Sequence, residues 1–256
     1  MTDIKTAFEN GKALIPFVTA GDPDLETTER LLIEMSKNGA DIIEIGIPFS
    51  DPIAEGVAIQ EADLRALAAG VTTDKIFDMV KRVSGKISCA LAVMTYMNPI
   101  FVYGTEKFMA KCAECGISAV IVPDTPYEEK DELAPACEKY GVDLISMIAP
   151  TSAERVTMIA GDSSGFLFCI PSTGVTGVAG ESIMDIGEMV ELVRSVSGTP
   201  CAVGYGNPTE EQARLAAKCA DGVIIGDEVV RIIAENRENC VAPTAEYISK
   251  MKKAIS

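Results

Sequence analysis

The chain has 256 residues, with 22 Lys and Arg against 38 Asp and Glu, and a formal charge of −16. So acidic a balance offers no basic footprint for nucleic-acid phosphates or for an anionic membrane surface. There is no His and no Trp, which excludes Ser-His-Asp triads, Cys-His dyads and His-ligated zinc and leaves acid–base work at neutral pH to carboxylates, Tyr, Lys or Cys.

The opening MTDIKTAFENGK is polar and has no apolar core, so no secretory signal is expected. LIPFVT (14–19) is the first short apolar run. The helical pattern LETTERLLIEMSKNGA follows, with Leu25, Leu32 and Met35 on one face and a stop at Gly39. DIIEIG (41–46) is the second run and carries Glu44 in its interior; the loop IPFSDPIAEGVAIQ after it carries Asp51 and Glu55. TTDKIFDMVKRVSG reads as a helix ending at Gly85, before the third run, CALAVM (89–94). Cys112 and Cys115 form a CxxC, but KFMAKCAECG is amphipathic and no second CxxC completes a metal set, so both thiols are expected in the core.

AVIVP (119–123) is the fourth run; PYEEKDELAPACEKYG reads as one helix ending at Gly141. DLISMI (143–148), GFLFCI (165–170), CAVG (201–204) and GVIIG (222–226) complete a set of eight. These runs are continuously apolar, as strands buried on both faces are. Alternation with helical patterns predicts a parallel sheet, and eight βα units favour one (β/α)8 barrel, a TIM barrel with additional short helices, spanning residues 1–256 as a single domain. TAGDPDLE, VPDTPYEE and GYGNPTEE repeat one strand-to-helix pattern. Each is expected to place Pro at the first helical position, with Thr125–Glu128 and Asn207–Glu210 at capping-box spacing. No apolar run approaches the roughly 20 residues of a membrane span. Eight Cys inside apolar runs fit reduced thiols and a cytoplasmic location.

In such a barrel the chemistry belongs at the C-terminal ends of the strands. Glu44 is the outlier, because a carboxylate inside a buried strand must be paired, hydrogen-bonded or protonated. Burial raises its pKa and suits it to acid–base work, although a purely structural Glu satisfied by neighbours is also compatible. A loop carboxylate such as Glu55 would supply a second acid–base group in a different environment. The Gly-rich turns STGVTGVAGE, VGYGNP and IIGDEVV follow strands six, seven and eight, where barrels commonly hold a phosphate. No Lys stands in a predicted strand, so a Schiff-base aldolase has no evident nucleophile.

The segments IPFVTAGDP, IEIGIPFSDPIAEG, ADLRALAAGVT, VPDTPYEE, APTS and GVTG, spread over nearly the whole chain, resemble the tryptophan synthase alpha-subunit family. The resemblance implies a (β/α)8 barrel that cleaves indole-3-glycerol phosphate to indole and glyceraldehyde 3-phosphate without a cofactor or metal. It also implies a beta-subunit partner, usually in an α2β2 assembly. Glu44 then matches the family's strand carboxylate, and Glu55 stands where the best-known members have Asp. Tyr96, Thr176 and Phe168 match substrate-side positions, with Phe168 replacing a Tyr of some members. Gly177, Gly206 and Gly226 match phosphate-binding backbone positions, and Asp51 and Pro52 face the beta subunit.

Two departures stand out. The usual Gly-Pro after the loop acid is Gly56-Val57, and the usual Gly-Ser-Ala after the last strand is Gly226-Asp227-Glu228. Asp227 would cap the helix start itself and compete with phosphate, or turn outward and leave the backbone free. These departures keep a second reading open, a weakly active or non-catalytic alpha-like chain that binds and regulates a beta subunit. Another phosphate-binding barrel, such as a ribulose-phosphate epimerase relative, would leave Glu44 and the IPFSDP loop unexplained.

Overall fold

The computed structural model describes residues 3–171 and 185–256. In chain order the elements are β1 (Ala13–Thr19), α1 (Leu25–Lys37), β2 (Ile42–Gly46), α2 (Val57–Ala68), α3 (Thr73–Val83), β3 (Ala90–Met94), α4 (Met97–Tyr103), α5 (Thr105–Cys115), β4 (Ala119–Ile121), α6 (Ala134–Tyr140), β5 (Asp143–Ile148), α7 (Ala153–Ala160), β6 (Leu167–Cys169), α8 (Ile186–Val196), β7 (Cys201–Tyr205), α9 (Glu210–Cys219), β8 (Gly222–Ile225), α10 (Asp227–Asn236) and α11 (Val241–Ile255). The eight strands pair in sequence order, all parallel, and β8 closes on β1. This is the expected (β/α)8 barrel, with a strand on each of the eight apolar runs, β1 and β7 each extending one residue beyond theirs.

Each strand buries two faces, which is why the runs look continuously apolar. Ala13, Ile15, Ile42, Ala90, Ala92, Ile121, Ala202 and Ile224 fill the barrel interior. The intervening Leu14, Ile43, Leu91, Val120, Val203 and Val223 pack outward against the helices. The period of two puts Glu44 on the inner face with Ile42. Small alanines inside leave room for large rings. Phe17, in register with Glu44, lies so close to Gly46 that a Cβ there would stand 2.4 Å from the ring. Phe168 similarly overlies Gly204, at 2.5 Å from such a Cβ. Ile4 and Phe8, in the segment before β1, close the opposite end of the barrel, with Phe8 against Phe166 at 5.8 Å.

All eight cysteines are free and seven are buried, Cys112 and Cys115 among them on the inner face of α5. No helix among the described residues is long and apolar enough to cross a membrane.

Two local expectations need correction. The 126–141 stretch is not one helix: a 3-10 turn over Tyr127–Glu132 precedes α6. Pro135 is the cause, since it lacks an N–H and its ring collides with the carbonyl four residues back. The repeated Pro also stands before the helices rather than inside them. Asp24, after Pro23, caps α1 by accepting from Thr27 N at 2.7 Å. Pro126 itself precedes the 3-10 turn, and no side chain caps that turn. The capping box of α9 is Thr209 with Gln212, two residues beyond Asn207 and Glu210.

Asp22 ties α2 to the loop after β1. It accepts from Arg65 Nε at 2.8 Å and Nη2 at 2.7 Å, with 3% of its side chain exposed. Arg65→Met would leave that carboxylate buried without its partner. We expect a loss of about 2–4 kcal/mol of unfolding free energy, read by urea denaturation; an unchanged midpoint would show that the pair contributes nothing net.

Candidate active site

β2 delivers Glu44 to the interior two residues before the strand's C-terminal end. It is 1% exposed, and its Oε1 meets no hydrogen-bond partner among the described residues. With no countercharge to offset it, burial lifts its pKa from 4.5 to about 8. An orphaned buried carboxyl is rare in a merely structural role, because its desolvation goes uncompensated. Protonated near neutral pH, it can give a proton and take one back.

Glu55 reaches the same end of the barrel from the loop between β2 and α2, and is 6% exposed. The Tyr96 hydroxyl donates to Glu55 Oε2. That hydroxyl also accepts from Ile53 N at 3.0 Å and Ala54 N at 2.9 Å. One phenol therefore pins the loop backbone and the carboxylate together, and burial with the Glu55 contact raises its own pKa. Burial raises the pKa of Glu55; the Tyr96 hydrogen bond opposes the rise and the charge of Asp124 adds to it. The two glutamates thus stand in different environments, one fully buried with no partner for its Oε1 among the described residues, the other hydrogen-bonded.

Two acids that the sequence reading passed over belong to this region. Asp63, on α2, is 5% exposed and accepts from Phe49 N at 3.4 Å. Burial, helped by the charges of Glu55 and Asp22, raises its pKa to about 7. Asp124, beyond β4, accepts from Met97 N at 2.9 Å and faces Glu55. The helical period carried a signal for Asp63, which shares the buried face of α2 with Ile59, Ala62 and Ala66. Asp124 carried none.

Phe168 points inward from β6, half-buried, in register with Met147 and Ala202. Gly226 follows β8, and a Cβ there would lie 3.8 Å from both Phe17 and Ile59, so this turn borders the Glu44 side of the mouth. The Gly206 carbonyl accepts from Glu228 N at 3.2 Å, joining the turns after β7 and β8 at the start of α10. Thr176 and Gly177 lie outside the described residues.

Asp227 does neither of the two things expected of it. It does not cap α10, whose N-cap is Gly226 with no side-chain bond. Nor does it turn fully out to water: it is half-buried, its Oδ1 has no partner among the described residues, and burial raises its pKa. Glu228 does turn away, in a two-pronged pair with Arg231 at 3.0 and 2.7 Å.

Comparison with known proteins agrees with this geometry. Residues 4–256 match the family described as Tryptophan synthase alpha chain. The chain is 40% identical over 255 residues to the alpha chain of Lacticaseibacillus casei, covering 100% of this chain and 96% of that one. It is 42% identical over 246 residues to that of Clostridium kluyveri, covering 95% and 94%. Among solved structures, Mycobacterium tuberculosis tryptophan synthase superposes with a TM-score of 0.89 at 30% identity, covering 98% of this chain and 97% of that one. The alpha chain of Legionella pneumophila gives 0.85 at 33% identity, covering 100% and 97%. A family match over nearly the whole length, on a barrel whose mouth holds the two carboxylates, leads to one conclusion: the chain belongs to the tryptophan synthase alpha chain family.

Proposed function

We propose that Glu44 and Glu55 divide the acid–base work of this chain's reaction. The chain is a lyase that cleaves indole-3-glycerol phosphate to indole and glyceraldehyde 3-phosphate. Glu44, protonated at rest, delivers its proton to C3 of the indole ring. Glu55 takes the ring N–H proton, which leaves the indolenine tautomer, and returns it to the nitrogen as the C3–C3′ bond breaks. The C3–C3′ bond then breaks, and the Glu44 carboxylate accepts the proton of the C3′ hydroxyl as the aldehyde forms. Protons balance, and Glu44 ends as it began. The observation that carries this reading is the buried Glu44 carboxyl on the inner face of the barrel, its Oε1 without a partner among the described residues, with a second carboxylate held by Tyr96 at the same end. Phe168 lines the apolar side of the substrate, and the turns at Gly206 and Gly226 with Gly177 receive its phosphate, beside Asp227. Thr176 meets the Glu55 carboxylate when the site closes. The test is indole release by the purified chain, alone and with a beta subunit. Release stimulated by the beta subunit supports the assignment, and no release from the folded protein under either condition overturns it.

The family works with a beta subunit, and we assign the docking face to the loop that carries Asp51 and Pro52. Ile53 and Val57 are 69% and 70% exposed there, and Phe101 and Val102 on α4 are 71% and 76% exposed. Large apolar side chains so exposed around one rim mark an interface. The face adjoins Tyr96, which precedes α4 and holds the Ile53 amide, so docking would bear directly on Glu55. An α2β2 assembly and a cytoplasmic location fit this reading. Val102→Glu is expected to weaken beta-subunit binding about tenfold or more, measured by titration calorimetry, with indole release by the isolated chain nearly unchanged. Undiminished binding would move the interface elsewhere.

A further inference from the structure

Asp63 is the buried titratable group at the mouth that the proposed reaction does not use. Its Oδ2 accepts the Phe49 N–H at 3.4 Å. The Phe49 ring lies against Tyr96, with centroids 5.3 Å apart and planes inclined by 33°. The Tyr96 hydroxyl in turn binds Ile53 N, Ala54 N and Glu55. A line of contacts therefore runs from the rigid helix α2 back to the start of the 49–56 loop, across an aromatic pair, and into the loop carboxylate.

We infer that Asp63 is a positioning residue for the Glu55 loop: it anchors Phe49 and, through Phe49 and Tyr96, fixes where the Glu55 carboxylate stands. The inference rests on the reading of Glu55 as the group that handles the indole N–H. An acceptor for one amide does not call for a carboxyl, and this one lies beside two others. Glu55 and Asp22 both bear on it, Asp22 being neutralised by Arg65, and the Thr19 hydroxyl lies near it. Burial among these charges raises Asp63 to about 7. Like charges disfavour one another's ionised forms, so an ionised Asp63 makes Glu55 the better base. Asp63 thus has two separable effects, as an acceptor that sets position and as a charge that sets basicity.

Asp63→Ala removes both, and Asp63→Asn removes only the charge. The readouts are kcat and KM for indole release, and the 13C carboxyl titration of Glu55, identified as the resonance missing in Glu55→Gln. Asp63→Ala is expected to lower kcat about tenfold or more, with KM changed less than about threefold, as loss of positioning without loss of binding requires. Asp63→Asn is expected to recover kcat to within about threefold of the parent. Its Glu55 resonance is expected to titrate at lower pH than in the parent. A kcat within about twofold of the parent in Asp63→Ala overturns the inference. So does an Asp63→Asn enzyme no better than the Ala variant with an unmoved Glu55 titration. Should Asp63→Ala fail to fold, the isosteric Asp63→Leu, which also lacks an acceptor, takes its place: a kcat about tenfold below that of Asp63→Asn supports the inference, and equal kcat values overturn it. Glu55→Gln with parental turnover overturns the underlying reading of Glu55. An inactive Glu55→Gln beside silent Asp63 variants overturns the positioning role alone.

Discussion

Glu44→Gln is expected to lower indole release by about 10²-fold or more while leaving the affinity for a phosphate-bearing substrate analogue near that of the parent. That is the scale on which positioned acid–base groups act. The amide keeps the size and the hydrogen-bonding capacity of the side chain, and removes only its ability to give up a proton and recover it. The loss should therefore fall on kcat, the pattern of an interaction made in the transition state. Glu55→Gln should show a comparable loss through the second half of the same proton exchange. Parental turnover in the Glu44 variant, measured with and without beta subunit, would remove Glu44 from the chemistry.

The same substitution is expected to stabilise the fold at alkaline pH. Glu44 titrates near 4.5 when exposed and at about 8 in the barrel. Between these values the folded state keeps a proton that the unfolded chain has lost, so stability falls as pH rises through that window. A neutral Gln has no such slope. By linkage, the variant should match the parent at pH 4 and exceed it by about 3–5 kcal/mol at pH 8 in urea unfolding. An inactive, more stable variant is the signature of a group kept for function against its folding cost. Parallel stability curves for the two proteins would show that the carboxyl finds a compensating partner.

The barrel was legible because a strand buried on both faces writes itself as an apolar run, and Glu44 because a charge interrupts one such run. Glu55 needed the family resemblance, since one acid in a loop of an acid-rich chain carries no signal of its own. The single helix expected at 126–141 missed the effect of Pro135, which acts on a hydrogen bond rather than on the hydrophobic pattern. The Asn207 cap was displaced because Thr209–Gln212 offers the same spacing two residues later, and local spacing alone does not choose between registers. Asp124 became visible only in three dimensions, where elements remote in sequence meet around Glu55, and Asp63 had only its place on the buried face of α2 to mark it. For Asp227 the two outcomes foreseen were capping or exposure. The structure gives a third, because Gly226 takes the cap position and turns the side chain inward.

That third outcome makes Asp227→Ser the variant with the largest expected effect on binding. A half-buried acid whose Oδ1 has no hydrogen-bond partner among the described residues, at the turn proposed to receive a phosphate, sets two anions against each other. Burial raises the Asp227 pKa, so the protonated form persists above the ordinary carboxylate range. In that form the acid can donate to a phosphate oxygen; once ionised it repels the dianion. Phosphate affinity should therefore fall as pH rises through the raised Asp227 pKa, even as phosphate gains its second charge near pH 6. A serine hydroxyl donates at every pH and carries no charge. Asp227→Ser is expected to tighten binding of inorganic phosphate, and to lower KM for the substrate, by about tenfold at pH 8, since one unit charge at close range in a partly buried site is worth 1.4 kcal/mol or more. The gain should shrink at pH 5, because the raised pKa favours the parent's protonated form as pH falls. Thermal shift against phosphate concentration at the two pH values reads it directly, because a ligand that binds only the native state raises the melting temperature with its own affinity. An equal gain at both pH values would mean that steric fit, not charge, separates Asp from Ser at this position. No gain at either would place the phosphate away from the start of α10.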